Sequence, residues 1–141
     1  TPCLHQHVGT WIETPEETVA VLDAIAPELL LFGPDTGHLS WVGADPAVFI
    51  GRYLDRVGAV HLKDFRRAIA REGLALAHDY ASITGDHVWT EPGRGDVDFD
   101  AVLDVLAGFD GWYVIEVDIA DQPTVLDTAR VSAQWVHERL G

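Results

Sequence analysis

Residues 28–38 read ELLLFGPDTGH. Four apolar residues in a row, Leu29 to Phe32, are followed by Gly33 and Pro34, then by Asp35, Thr36, Gly37 and His38. An apolar run without alternation is the pattern of a strand buried on both faces, as in a parallel sheet. Glycine and proline end it. Asp35 and His38 then fall at the C-terminal end of the strand, where parallel α/β proteins gather their chemistry. Two later stretches repeat the form. Residues 57–64 (VGAVHLKD) end in His61, Lys63 and Asp64, and residues 112–118 (WYVIEVD) end in Glu116 and Asp118.

The segments around these runs complete a repeating pattern. Residues 2–7 form a short first strand ending at His5 and His7. Thr14-Pro15-Glu16-Glu17 is a helix start, with Thr14 as cap, Pro15 at the first helical position and Glu17 three residues after the cap. That helix runs to about Ala26, with Val19, Leu22 and Ile25 or Ala26 on one face. Asp45-Pro46 opens a second helix, ending near Arg56, with Val48, Phe49, Tyr53 and Leu54 apolar. Asp98 caps a third, with Phe99, Val102, Leu103, Val105 and Leu106 as its buried face. Gln122-Pro123 begins the last, with Val125, Leu126, Ala129, Val131, Ala133 and Val136 apolar. Residues 8–13 and 39–44 read as loops, and residues 69–78 as a short helix within an irregular region that concentrates Arg66, Arg67 and Arg71. The order β-α-β-α-β-(loop/α)-β-α implies an α/β fold with a parallel sheet and right-handed crossovers.

Composition narrows the function classes. The chain has 141 residues, of which 48% are hydrophobic, enough for one domain with its own core. A formal net charge of −14 argues against nucleic acid and anionic membranes as partners. No apolar run approaches the length of a membrane span, and the start lacks a signal peptide's basic and apolar regions. Cys3 is the only cysteine, so no intrachain disulfide forms, and its place in an apolar strand suggests a small core residue. Together these features suggest a cytoplasmic protein. Methionine is absent and the chain enters a strand at once, which suggests a start inside a longer protein; removal of an initiator methionine gives the same appearance.

Asp35, His61 and Glu116 each follow an apolar strand, on three strands in turn. A lone carboxylate there is an ordinary cap or loop hydrogen-bonder. Three such residues in one structural position, one of them a histidine, match the oxygen and nitrogen ligands of Mn²⁺, Co²⁺, Mg²⁺ or Zn²⁺. His5 and His7 lie two apart and face one side of their strand, which suits a fourth ligand and a substrate contact. His38 is placed to meet a substrate hydroxyl. Lys63 shares a face with His61, where an ammonium stabilises an enolate oxygen. Asp64 is placed to pair with Lys63 or a loop arginine. Trp11 and Trp41 follow the first two strands and are either pocket walls or covers of the barrel end. Arg67 is a further substrate-contact candidate, and Arg94 reads as a loop brace. Gly93-Arg94-Gly95 follows no expected strand and lacks a third glycine, so it is no phosphate-binding fingerprint.

HQHVGTWIET, DTGHLSW, VGAVHLKD, GRGDVDF and GWYVIEVD together resemble the xylose-isomerase-like TIM-barrel family of sugar isomerases and epimerases, and within it the inosose dehydratase branch. The resemblance covers nearly the whole chain. It implies one divalent ion, usually Mn²⁺, Co²⁺ or Mg²⁺, held by Glu, Asp, His and Glu at the ends of barrel strands five to eight. The last three of these fall on Asp35, His61 and Glu116. The first falls on His5, a departure that disfavours the two-glutamate mechanism of the epimerases and leaves a dehydratase plausible. The implied activity is dehydration of a polyol ketone such as an inosose. Glu116 or a histidine, His5 or His7, serves as base, and His38 or Lys63 assists the leaving hydroxyl or an oxyanion. A ketose isomerase or epimerase and a non-catalytic half-barrel fragment or assembly module are the alternatives.

A complete barrel needs about 250 residues. Four βα units correspond to strands five to eight, the C-terminal half of one such domain. A half barrel has two bare edges and an uncovered apolar face. The expected complement is a missing N-terminal half or a second copy in a homo-oligomer.

Overall fold

In the computed structural model, which describes residues 1–141, the run at 29–32 yields only a two-residue strand, β2 (Leu31–Phe32). The backbone explains the shortening. The Leu29 and Leu30 N–H groups both bond the Ala26 carbonyl, at 3.0 and 3.2 Å, so a turn consumes half the run and leaves Leu29 exposed. β1 (Cys3–Leu4) pairs with β2 in parallel, Cys3 opposite Leu31 and Leu4 opposite Phe32. Parallel bridges, Phe32 to Val57 and Asp35 to His61, tie β2 and its continuation to β3 (Ala59–Leu62) and the residues before it. β3 in turn neighbours β6 (Trp112–Ile115), which ends its sheet. The expected parallel α/β pattern is present here.

The chain divides into two compact units, Thr1–Leu62 with Asp98–Val114, and Lys63–Val97 with Ile115–Gly141. In the first, α1 (Pro15–Ala24) starts on the expected capping box: Thr14 Oγ1 accepts from the Glu17 N–H, and the Glu17 carboxylate accepts from the Thr14 N–H. α2 (Thr36–Trp41) replaces the loop expected at 39–44, because Asp35 caps it through the His38 N–H. The helix begins inside DTGH, where Gly37 masks its signal. α3 (Pro46–Arg52) is capped by Asp45 and gives way to a 3₁₀ turn, Leu54–Arg56. Val48 lies on its solvent side, contrary to its assignment to the apolar face; Ala47, Phe49 and Ile50 are buried instead. α6 (Phe99–Val105) is capped by Asp98, and Phe99, Val102 and Leu106 go inward as expected.

The core of this unit joins Leu22, Phe32, Leu39 and Phe49, with Leu4, Val19, Ala44, Tyr53 and Val57 packed against it. Phe32 meets Phe49 and Tyr53 edge to face, at 5.8 and 5.9 Å between ring centroids, the arrangement aromatic quadrupoles favour. The Arg56 guanidinium donates to the carbonyls of Leu22, Ile25 and Leu30, satisfying the open end of α1 and the turn after it. Cys3 is exposed rather than a core residue, since its strand is two residues long and has a single neighbour.

The second unit corrects the all-parallel expectation. β4 (Asp64–Phe65) and β5 (Trp89–Thr90) pair antiparallel, Asp64 opposite Thr90 and Phe65 opposite Trp89. β5 places a strand shortly before Gly93, where none was expected. The short helix expected at 69–78 is α4 (Arg67–Ala75), and α5 (Tyr80–Gly85) follows under an Asp79 cap. α7 (Val125–Leu140) starts after the expected Gln122-Pro123, because Thr124 caps it by accepting from the Asp127 N–H. Its inward positions, however, are Thr128 and Ser132. Val125, Leu126, Ala129 and Ala133, read as a buried face, are exposed. No helix is long and apolar enough to cross a membrane.

Candidate metal centre

Parallel pairing brings the first candidate ligands together. The Asp35–His61 bridge sets these residues side by side on adjacent chains, and the His61 N–H bonds the Pro34 carbonyl at 2.8 Å. β1 delivers His5 to the same place, its ring 4.3 Å from that of His61. Ligand atoms of His5, Asp35 and His61 lie within 4.8 Å of one another. Ligands at 2.0–2.2 Å from one ion lie at most about 4.4 Å apart. Small side-chain rotations therefore bring this group to coordination distance.

Asp35 is fully buried, and its two oxygens are distinct. Oδ1 accepts from the His38 N–H at 2.8 Å, while the Asp35 carbonyl accepts from the buried Gln6 amide at 3.0 Å. The cap fixes the carboxylate's orientation and directs Oδ2 as the oxygen that can meet a cation. Two imidazoles and a buried carboxylate suit a borderline divalent ion. The donor set therefore fits a metal.

His7 and His38 stack at 3.8 Å between ring centroids. Their backbone partners set opposite tautomers in the neutral rings. The Val8 carbonyl, which only accepts, lies 2.7 Å from His7 Nδ1, so Nδ1 carries the proton and Nε2 the lone pair. The Val8 N–H donates to His38 Nδ1 at 3.3 Å, so the His38 proton sits on Nε2. Trp11 is 97% exposed, at the tip of a loop closed by the His7 N–H bonding the Ile12 carbonyl at 3.0 Å. Its ring stands in solvent instead of forming a wall.

The second unit holds the other candidates. Lys63 is fully buried, as expected for a lysine that is not a surface residue. Its Nζ donates to Glu116 Oε1 at 2.9 Å and Asp118 Oδ1 at 2.5 Å and sits 4.3 Å from the Trp89 ring centre. The Tyr80 hydroxyl donates to Asp118 Oδ2 at 2.8 Å; burial, and then the Asp118 carboxylate, raise the phenol above its ordinary range. Sequence reading gave Asp118, Tyr80 and Trp89 no role. The two-residue spacing of Glu116 and Asp118 was the signal available for Asp118, because it sets both side chains on one face of an extended segment.

Asp64 does not pair with Lys63 or an arginine. Its carboxylate accepts from four backbone N–H groups, those of Phe65, Gly93, Gly95 and Val97, at 2.8–3.0 Å. Burial pushes its carboxyl up from the ordinary range against the pull of these bonds. The GRG segment thus wraps a carboxylate, which explains its glycines. Arg67 bonds Asp96 through its backbone N–H at 2.8 Å and lies 5.3 Å over the Phe65 ring. Arg94 is half exposed, with Nε 4.0 Å from Glu91 Oε2. Arg66 pairs with both oxygens of Asp121, and Gln122 bonds Glu91 at 3.0 Å. These two contacts strap the segment that follows Glu116 to the end of β5.

This fold and this ligand group define a class. Residues 1–138 match the family model for the xylose isomerase-like TIM barrel, and the chain belongs to that family. Among curated relatives it is similar to an inosose dehydratase of Clostridium tetani, 34% identical over 81% of this chain and 39% of the relative. An inosose dehydratase of Bacillus cereus is 34% identical over 97% of this chain and 47% of the relative. The chain thus spans about half the length of the curated relatives it matches. Among solved structures it resembles a probable 3-DHS dehydratase of Bacillus anthracis, with a TM-score of 0.72 at 17% identity, over 97% of this chain and 49% of that one. The IOLI protein with a bound zinc atom superposes with a TM-score of 0.66 at 16% identity, over 96% of this chain and 46% of that one.

Proposed function

We propose that this chain carries the metal and proton-transfer residues of a dehydratase acting on a polyol ketone, an inosose in the best case. The observation that carries the reading is the convergence of His5, Asp35 and His61. Glu116 is the fourth ligand in this proposal, since it ends its strand as Asp35 and His61 end theirs and matches the last ligand implied by the family resemblance. The chain's βα segments would then be strands five to eight of one barrel domain. A bound Mn²⁺, Co²⁺, Mg²⁺ or Zn²⁺ supplies Lewis acidity that makes a proton next to the ketone removable.

The residues divide the remaining work by their tautomers and charges. His7 presents an Nε2 lone pair and, with Glu116, is the candidate base. His38 presents an Nε2–H donor for a substrate hydroxyl. Lys63, held as an ammonium between two carboxylates, offers its positive charge to an oxyanion. Arg67 is an outlying candidate for substrate contact, and Trp11, whose ring stands in solvent, is no longer one. His5 in place of a glutamate removes one carboxylate of a two-base epimerase and favours elimination of water.

Asp35→Asn tests the reading because it keeps the oxygen that caps α2 and removes the anionic ligand. Calorimetric titration with Mn²⁺ and Zn²⁺ is expected to lose its binding signal while the circular dichroism spectrum stays unchanged. Lewis-acid assistance of several kcal/mol corresponds to a loss of about a thousandfold in turnover. Loss of water from an inosose yields an ultraviolet-absorbing enolic dione, whereas epimerisation conserves mass. Metal binding with product of unchanged mass would assign the epimerase alternative. Carefully prepared wild-type protein that binds no divalent ion would leave only the non-catalytic reading.

A further inference from the structure

Charged side chains of the second unit form one cluster around Lys63. The ammonium lies between Glu116 Oε1 and Asp118 Oδ1, at 2.9 and 2.5 Å, over the face of the Trp89 ring. One cation is thus set against two carboxylates. Exposure is just as uneven. The Lys63 side chain has no accessible surface, whereas those of Glu116 and Asp118 keep 30% and 23%. A molecule that reaches the cluster from solvent therefore meets carboxylate oxygens first. These accept hydrogen bonds and donate none. They suit the hydroxyl groups of a neutral polyol. They repel a carboxylate or phosphate, which a lysine alone would attract.

Asp118 is locked in this arrangement. Its Oδ1 accepts from the Lys63 ammonium and its Oδ2 from the Tyr80 hydroxyl at 2.8 Å, so the carboxylate cannot turn away without breaking a bond. Burial, and then Asp118 itself, raise the Tyr80 phenol above its ordinary range, so the hydroxyl keeps its proton and remains a donor. Tyr80 is braced in turn: it opens α5 under the Asp79 cap, and its ring centroid lies 6.5 Å from that of Trp89. We propose that Asp118, held by Tyr80, is a specificity-determining residue that admits uncharged polyol ketones and turns away ketones carrying a carboxylate or phosphate. The proposal rests on the polyol-ketone reading above and adds the charge of the substrate to it. Glu116 is already assigned to a metal in that reading, which leaves Asp118 as the carboxylate that cancels Lys63.

The test compares two unreactive polyols that differ by one phosphate, myo-inositol and myo-inositol 1-phosphate. Ligand-observed NMR titration reads weak affinities, and a chelator keeps any ion from bridging to the phosphate. Wild type is expected to bind the neutral polyol about tenfold or more tightly than the phosphate, the scale of one uncancelled charge near the surface. Asp118→Asn keeps the shape and removes the charge. It is expected to tighten phosphate binding by about tenfold while the neutral polyol changes by less than about threefold. Tyr80→Phe frees Asp118 without removing it and is expected to give a smaller gain in the same direction. Asp104→Asn, at an exposed position of α6, controls for the overall charge of −14 and is expected to leave the ratio unchanged. Wild type that binds the phosphate as well as the neutral polyol, or binds neither, overturns the proposal. So does a ratio that a folded Asp118→Asn protein leaves unchanged, or one that Asp104→Asn shifts equally. Failure of the proposed reaction shows instead in the inosose product assay, on which none of these readouts depends.

Discussion

Residues 32–40 and residues 112–118 play like parts in the sequence and differ as structure. An apolar run, Leu29–Phe32 or Trp112–Ile115, leads in each case into an acidic residue, Asp35 or Glu116. Every residue from Phe32 to Ser40 is buried, whereas no residue from Gly111 to Ala120 is. The difference lies in their neighbours. β2 has β1 paired on one side and bridges to Val57 and His61 on the other, and α2 closes over its end. β6 has one neighbour, and α7, the helix that follows it, leaves its apolar stripe open. An apolar run therefore reports the burial a segment is built for, while the elements present decide the burial it obtains.

Truncation inside the closed region is expected to give the largest stability effect. Leu39 is fully buried in the core with Phe32. Leu39→Ala is expected to cost about 2–5 kcal/mol, the transfer term plus the cavity left behind. Chemical denaturation measures it, and a cost near that of an exposed leucine would erase the contrast between the two regions. Gly95→Ala comes next. A Cβ there would lie 2.4 Å from both Asp64 Oδ1 and the Phe65 carbonyl, so the clasp around Asp64 must open. Overpacking of this kind costs about 1–3 kcal/mol, read from the shift in the denaturation midpoint.

The strands and helix starts of the first unit, and the strand ends that carry its candidate ligands, were legible because each rests on local chemistry. Thr14, Asp45 and Asp98 all cap as their residue types allow, and Asp35 and His61 converge because parallel pairing makes strand ends neighbours. What was not legible depends on contacts distant in sequence. Asp64 bonds N–H groups about 30 positions away, and nothing beside it in the sequence announces them. Asp118 and Tyr80 meet across 38 positions. α2 was hidden for a different reason: glycine at its second position and a histidine at its third read as a loop, and only the cap formed by Asp35 reveals the helix.

Asp121 probes the strap beside the open region at an intermediate scale. Its hydrogen bond to the Arg66 guanidinium, opposed in part by burial, holds its carboxyl below the usual range. A folded-state pKa below the unfolded value means that the carboxylate contributes stability above the unfolded pKa and loses it as pH falls through the folded one. Asp121→Asn is expected to lower stability at neutral pH by about 1 kcal/mol, the scale of a partly exposed ion pair. Wild type and variant should converge as pH falls through the lowered folded-state pKa of Asp121. Asp64 is shifted upward by burial and so acts in the opposite direction, but it is common to both proteins and cancels in the difference curve. A difference that persists unchanged into acid would assign the strap's contribution to packing rather than charge.

The smallest expected effect is the sharpest test of the comparison. Val125→Thr keeps a branched side chain of nearly the same shape and adds a hydroxyl to the apolar stripe of α7. In the chain alone that hydroxyl meets water, because Val125 is 76% exposed, and the change should stay within about 0.5 kcal/mol, as for surface substitutions elsewhere. The same replacement inside a closed apolar interface would bury a hydroxyl, at a cost of about 1–3 kcal/mol where no partner bonds it. Equal stabilities for wild type and variant would place the difference between the two regions in what covers them. A full cost in the chain alone would mean that α7 is already closed in solution, and the contrast with residues 32–40 would then disappear.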